Sequence, residues 1–234
     1  MPTKQLLILA NSFKKPDRCI AGLEMIDGKP FPKSWIRPIS TLANGGLERE
    51  QIVLNDGGIP SVLDVVEIPF SEPAGDVLQP ENWFFTPKIK WKRLGKLSAQ
   101  ELKPLLEKPA SLWWVLKERS DRVALKDLTS VWNPHSLTLI QPEGLRLKVQ
   151  RDGDAFNDKV KVRACFKYRW QSYDLSLTDP VFLARHCKNV LATGQDEMEL
   201  APPFGDRCAL CVSLTPPFQG HHYKVVATIQ ELPA

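Results

Sequence analysis

The sequence predicts a mostly β protein with minor α: two OB-like five-stranded barrels joined by a helical connector. Three observations carry this. Residues 159–170, KVKVRACFKYRW, alternate cations with apolar side chains in the period-two pattern of a half-exposed strand. The second half then reads as strands around a single helix start, and the first half repeats that order of elements. The expected divisions are a first barrel over 1–92, a connector over 93–135 and a second barrel over 136–234.

In the second half, SLTLI (136–140) and LRLKV (145–149) are β-like, with Leu145, Leu147 and Val149 on one face and Arg146 and Lys148 on the other. RDGDAFND (151–158) is rich in turn formers. The basic strand follows, then SYDLSL (172–177). Thr178 or Asp179 can cap a helix whose first position suits Pro180, and VFLARHCKNVL (181–191) has apolar residues at helical spacing before Gly194. CALCVSL (208–214) and HYKVVATI (222–229) close the chain as strands. Read as three strands, a helix and two strands, this is the order of the OB fold, a small barrel whose strand face and loops bind oligonucleotides or oligosaccharides.

The first half offers QLLILA (5–10), RCIAGLEMI (18–26) and SWIRPI (34–39) as three strands. Gly45 and Gly46 precede a short helix in LEREQI (47–52), and SVLDVVEIPF (61–70) and NWFFTPKIKW (82–91) supply two more strands. Between the halves, Ser98 and Glu101 form a capping box at the start of SAQELKPLLEK (98–108), with Pro104 set to kink it. LWWVLKERS (112–120) suits another helix, and Trp113, Trp114 and Trp132 call for burial.

Composition is that of an ordinary globular protein, with 43% hydrophobic and 25% charged residues and a net charge of +4. The N-terminal apolar stretch is too short for a secretory signal, and no run approaches the ~18 apolar residues of a membrane span. Five cysteines without framework spacing fit reduced thiols, so a cytoplasmic protein with no membrane association is expected.

Asn11-Ser12 with Arg18-Cys19-Ile20-Ala21-Gly22, Trp35-Ile36-Arg37-Pro38-Ile39-Ser40, Leu63-Asp64-Val65-Val66-Glu67-Ile68-Pro69 and Gln79-Pro80-Glu81-Asn82-Trp83 form a recognisable set. Tyr173-Asp174-Leu175-Ser176-Leu177-Thr178-Asp179-Pro180, Val212-Ser213-Leu214, Pro217-Phe218 and Tyr223-Lys224-Val225-Val226-Ala227 extend it through the second half. Together they resemble the prokaryotic dual OB-containing domain family. The resemblance implies two OB units, a role in binding nucleic acid, and a setting in conflict or defence systems. It implies no catalytic residue.

The candidate contacts are cations and aromatics. Lys159, Lys161, Arg163, Lys167 and Arg169 share one parity of the basic strand, broken by Cys165, and no carboxylate interrupts the run. A single-sign face attracts a phosphate backbone; the plainer alternative is a solvated sheet face. In KIKWKRLGK (88–96), Lys88, Lys90 and Lys92 would share one strand face with Ile89 and Trp91 on the other, Trp91 suiting the core. Arg18, Trp35 and Arg37 fall on the strand pair that OB folds use for binding. There Trp35 either stacks a base or is buried with Arg37 packed over it.

Cys208 and Cys211, with Cys187, His186, His221 and His222, include metal-ligand types, but a strand setting puts Cys208 and Cys211 on opposite faces, and no metal or cofactor is expected. Phosphate-loop, HExxH and GxSxG motifs are missing from the sequence. The function expected is non-catalytic binding of nucleic acid, single strands favoured, as a recognition or adaptor component beside an effector protein. The competing classes are a protein-interaction scaffold that holds an acidic partner on its basic faces, and a small-nucleotide sensor or enzyme with its pocket between the barrels.

Overall fold

Period-two burial of aliphatic side chains organises both halves of the computed structural model, which describes residues 2–233 apart from 15, 43, 116–118, 129–134, 153–159, 188–190 and 192–194. Two units emerge, Met1–Glu107 with Pro134–Thr138, and Lys108–Asn133 with Leu139–Ala234. The stretch 93–135 is therefore divided between them. It holds a 3-10 helix, Ala99–Leu105, opened by the Ser98/Glu101 capping box, and a single α turn, Leu125–Leu128. Residues 112–115 are not helical, because Trp113 takes a left-handed backbone (φ 47°) that interrupts any helix.

The first unit contains β1 (Thr3–Lys14), β2 (Asp17–Ile26), β3 (Lys29–Ile39), a 3-10 turn (Arg49–Ile52), β4 (Asp64–Pro73), β5 (Asn82–Phe85) and β6 (Lys92–Lys96). The strands run in the order β1-β2-β3-β5-β4, and β4 returns to pair with β1, so five strands close into a barrel with β6 added beside β4. The third and fifth strands, β3 and β5, are parallel, and the remaining pairs of the barrel are antiparallel. Leu6, Ile8, Ile20, Ile36, Val66 and Phe70 fill the interior, joined by Trp91, whose ring meets Phe85 edge-on at 5.8 Å. Leu7, Leu9 and Leu23, on the opposite parity of β1 and β2, are buried as well. Gly22 is dictated by the β1–β2 crossing: a Cβ there would lie 2.1 Å from the Leu7 carbonyl oxygen.

The second unit contains β7 (Arg122–Ala124), β9 (Glu143–Arg151), β10 (Val160–Tyr168), β11 (Gln171–Leu177), β12 (Glu197–Leu200), β13 (Cys208–Leu214) and β14 (His221–Glu231), with β8 (Leu137–Ile140) entering across the division. A helix begins at Pro180 and widens into a π turn over Leu183–Cys187. Of the two candidate caps it is Asp179 that acts, accepting from the Val181 and Phe182 amides at 3.0 Å, while its other oxygen accepts from Ile229 of β14. The sheet order β9-β10-β11-β14-β13, with β11 and β14 parallel, repeats the OB order of the first unit.

One expectation is corrected here. The second barrel is not closed by a backbone ladder: among the described residues none joins β9 to β13, while β12 pairs with Leu147–Gln150 of β9 and β8 lies beside β13. A side chain bridges the gap instead. Asp206, just before β13, accepts from the Gly144 and Leu145 amides at 2.8 and 2.9 Å.

Gly22→Ala is expected to lower stability by at least the ~1–3 kcal/mol typical of overpacking, read as a shift in the denaturation midpoint. Phe166, 4% exposed and stacked on Tyr173, is expected to cost about 3–5 kcal/mol when changed to alanine in the same assay.

Candidate nucleic-acid interface

β10 alternates as expected, with Val162, Ala164, Phe166 and Tyr168 buried and Lys161, Arg163, Cys165 and Lys167 outward. Lys159 lies outside the described residues. The run carries no carboxylate of its own, but its neighbours do. β9 and β11 place Lys148 and Ser176 beside Arg163, Arg146 and Asp174 beside Cys165, and Glu143 and Ser172 beside Lys167. β12, a strand the sequence reading missed, sets Glu199 beside Lys148 and Glu197 beside Gln150.

Most of the cations are therefore already paired. Arg163 engages Asp174 and, at 3.1 Å, Asp121; Lys161 reaches Asp152 at 2.6 Å; Lys148 reaches Glu197 at 3.0 Å; Arg146 lies 3.6 Å from Glu199. Half-burial works against the Arg163 charge, but hydrogen bonds to Asp174 and Asp121 outweigh it and hold its pKa above the ordinary value. Hydrogen bonding to Glu197 likewise raises Lys148, while Gln150 and then Lys148 lower Glu197. The single-sign face of the sequence is in the fold a lattice of alternating charge.

At the hairpin end of this face the pairing stops. Lys167 is exposed and makes no ion pair among the described residues. It rims a shallow hollow of about 370 Å³ with Glu143, Arg146, Ser172 and Glu199, floored by Cys165. Burial first, then Asp174, raises the Cys165 pKa, so the thiol stays protonated rather than becoming a thiolate among cations. Arg169 leaves the strand face altogether. It sits in the turn after β10, and its guanidinium donates to the carbonyls of Pro109 and Lys108 at 2.8 and 3.0 Å. Trp170, which its parity assigned to the apolar face, is in the same turn and 66% exposed.

In the first unit, two candidate contacts belong to the interior. Trp35 is buried and donates its indole N–H to Glu107 at 2.7 Å. Arg37 is 3% exposed, ion-paired to Glu81 at 3.2 Å, and donates to Asn82 and Ser136. Of the two sequence alternatives for this strand pair, burial holds, because the outward face of the central strands is itself packed. Arg18 is half-buried at the β1–β2 turn with its guanidinium 4.6 Å from the centre of the Phe13 ring.

The basic segment 88–92 is also corrected. It is not a continuation of the strand: β5 ends at Phe85, residues 87–89 turn, and β6 begins at Lys92. Ile89 is accordingly half-exposed while Trp91 is fully buried, which a shared strand face cannot produce. Lys88, Lys90 and Lys92 are all exposed, and among the described residues none makes an ion pair within 4 Å, although Glu67 of β4 stands opposite Lys92 in register.

Cys187 and Cys208 are core thiols, pushed up to about 11 and about 12 by burial, with Asp206 adding to the second. Among the described residues no helix is long and apolar enough to cross a membrane. The partners missed in the sequence, Glu81, Asp121, Glu197 and Glu199, lie far along the chain from the cations they hold. Only β12 left a local trace, the alternation of Glu197-Met198-Glu199-Leu200.

The 1-2-3-5-4 strand order in each unit, the parallel third and fifth strands, and the helical turn between third and fourth define a protein of two OB folds. The dual OB-containing domain family model matches residues 4–229, and the chain belongs to that family. No curated protein and no solved structure matches it. OB-fold domains bind nucleic acids or proteins.

The pairing of Arg163 makes its role structural. Arg163→Gln takes the charged donor from half-buried Asp174 and one of two from buried Asp121, which keeps Arg119 at 2.6 Å, and is expected to lower stability by about 0.5–1.5 kcal/mol. Lys161→Gln, at an exposed pair, is expected to stay within about 0.5 kcal/mol. Chemical denaturation of the two variants side by side checks the contrast.

Proposed function

We propose that the protein is a non-catalytic binder of single-stranded nucleic acid. The observation that carries this is the run Lys88, Lys90 and Lys92 in the first unit, with Lys167 in the second: each is exposed and none makes an ion pair among the described residues. Binding to a phosphate backbone is driven by release of the counterions that the protein's cations replace. A lysine already held by a carboxylate must break that pair before it contributes, so Lys161 and Arg163 are poor phosphate ligands where they stand. Ile89, half-exposed between Lys88 and Lys90, adds an apolar contact suited to an unstacked base rather than to a duplex. The wider setting, a recognition or adaptor component beside an effector in a prokaryotic defence system, is supported by the family resemblance alone.

A protein partner is the second reading. It is favoured by the β9–β12 face, whose alternating Lys148, Glu197, Arg146 and Glu199 match a surface of complementary alternating charge better than a uniform polyanion.

Fluorescence anisotropy with a single-stranded oligonucleotide at several salt concentrations separates the readings. Changing Lys88, Lys90 and Lys92 together to glutamine is expected to weaken binding and to flatten the salt slope by roughly 0.7 for each phosphate that is no longer neutralised. Lys161→Gln is expected to leave both quantities unchanged. An unaltered slope in the triple variant, or no binding by the wild type, removes the nucleic-acid reading and leaves the protein partner ahead.

A further inference from the structure

We propose that Trp114 and Trp170 form a stacking platform for an unpaired nucleobase at the tip of the β10–β11 hairpin, with Lys167 and Arg169 meeting the adjoining phosphates; this deepens, and rests on, the single-strand reading above. The two indoles meet edge to face, ring centroids 4.9 Å apart and planes at 89°. Trp170 nevertheless keeps 66% of its surface in water. A large apolar ring left this exposed has no part in the core, which this hairpin already supplies through Phe166, Tyr168 and Tyr173.

The backbone on both sides of the platform is held in an unfavourable conformation. Trp113 and Arg169, each directly preceding one of the indoles, have φ of 47° and 55°, the left-handed region that glycine or asparagine occupies at least cost. At Trp113 the reversal sends one indole into the core, where it is 1% exposed, and leaves its neighbour Trp114 half-buried against Trp170. At Arg169 the strain is offset by the hydrogen bonds of its guanidinium to Pro109 and Lys108. Tyr168 adds a hydroxyl donated to the Pro109 carbonyl at 3.0 Å, and the Leu112 amide donates to the Tyr173 hydroxyl at 3.1 Å. Segment 108–114 and the hairpin tip are thereby fixed to each other, so both rings are in position before any ligand arrives and little ordering remains on binding.

Charge selects the occupant. The Arg169 guanidinium is bonded to neutral carbonyls, which leave its positive charge in place. Lys167, opposite Ser172 on the pair next to the hairpin's closing pair, is exposed. Glu143, opposite Lys167 on β9, is the carboxylate nearest in register, and it makes no ion pair with Lys167 within 4 Å. An exposed aromatic ring beside cations that make no ion pair among the described residues is the combination that single-strand binders use, since every base offers a π face and every linkage a phosphate.

The test compares Trp170→Ala with the wild type in the anisotropy assay, using a normal oligonucleotide and one made entirely of abasic sites. Loss of the platform is expected to weaken binding of the normal strand by roughly 5- to 150-fold, the equivalent of one base–aromatic stack, with the salt slope unchanged. Trp170→Phe is expected to retain most of the affinity, and the abasic strand to bind both proteins alike. Equal binding of the normal strand by wild type and Trp170→Ala, while the Lys88/Lys90/Lys92 variant is still weakened, overturns the platform and spares the proposed function. An equal loss on the abasic strand also overturns it, because the effect is then not stacking. Absence of oligonucleotide binding by the wild type overturns both.

Discussion

The first OB unit is organised around a buried ion pair. Arg37 on β3 and Glu81 just before β5 are joined through side chains and backbone alike, the Arg37 amide donating to the Glu81 carbonyl at 2.7 Å. Arg37 also donates to Asn82, and Glu81 also accepts from the amide and hydroxyl of Ser136. These bonds bring the start of β5 alongside β3, the parallel contact on which the five-strand order depends, and tie the later segment 134–138 into the same unit. Two charges out of water are costly, and the cluster offsets that cost only because nearly every donor and acceptor finds a partner. Removing either charge leaves the other buried and uncompensated, a larger perturbation than replacing both.

The same competition between pairing and solvation decides what remains for a ligand. Cations that look equivalent in the sequence part company once the strands align: Arg163 is drawn into a network with Asp121 and Asp174, while Lys167, four residues on, is left in water. Surface charge in this protein is consequently local. On the sheet face it is paired, while the β5–β6 connection and the β10–β11 tip carry exposed cations that make no ion pair among the described residues. A ligand that follows these positions meets loops and hairpin ends, where side chains adapt without disturbing the barrels.

Much of the fold was legible because period-two patterning survives folding. Val160–Tyr168, Gln171–Leu177, Cys208–Leu214 and the Asp179-Pro180 helix start all stand where their residues placed them. The failures share a cause. The reading of Lys88, Lys90 and Lys92 extended a strand through a turn, since alternation alone does not mark where pairing ends. That no ladder joins β9 to β13 among the described residues, and that β12 and β8 lie beside these strands, is a tertiary outcome. Trp35 and Arg37 were placed on the right strand, but whether an outward face is covered is a property of what packs on it. Trp170 continued the apolar parity beyond Tyr168 into a turn, where parity no longer has meaning.

A sheet with no closing ladder among its described residues keeps its rims, and rims invite further strands. In the second unit the edge next to β9 is taken by a strand of only four residues, Glu197–Leu200, with two glutamates directed to the outer face. A short, acidic margin offers few backbone groups to a passing chain and repels another copy of itself. β12 thus limits growth of the sheet. Its cost is that the carboxylates guarding the rim also neutralise Arg146 and Lys148, so resistance to self-association and affinity for polyanions draw on the same few side chains.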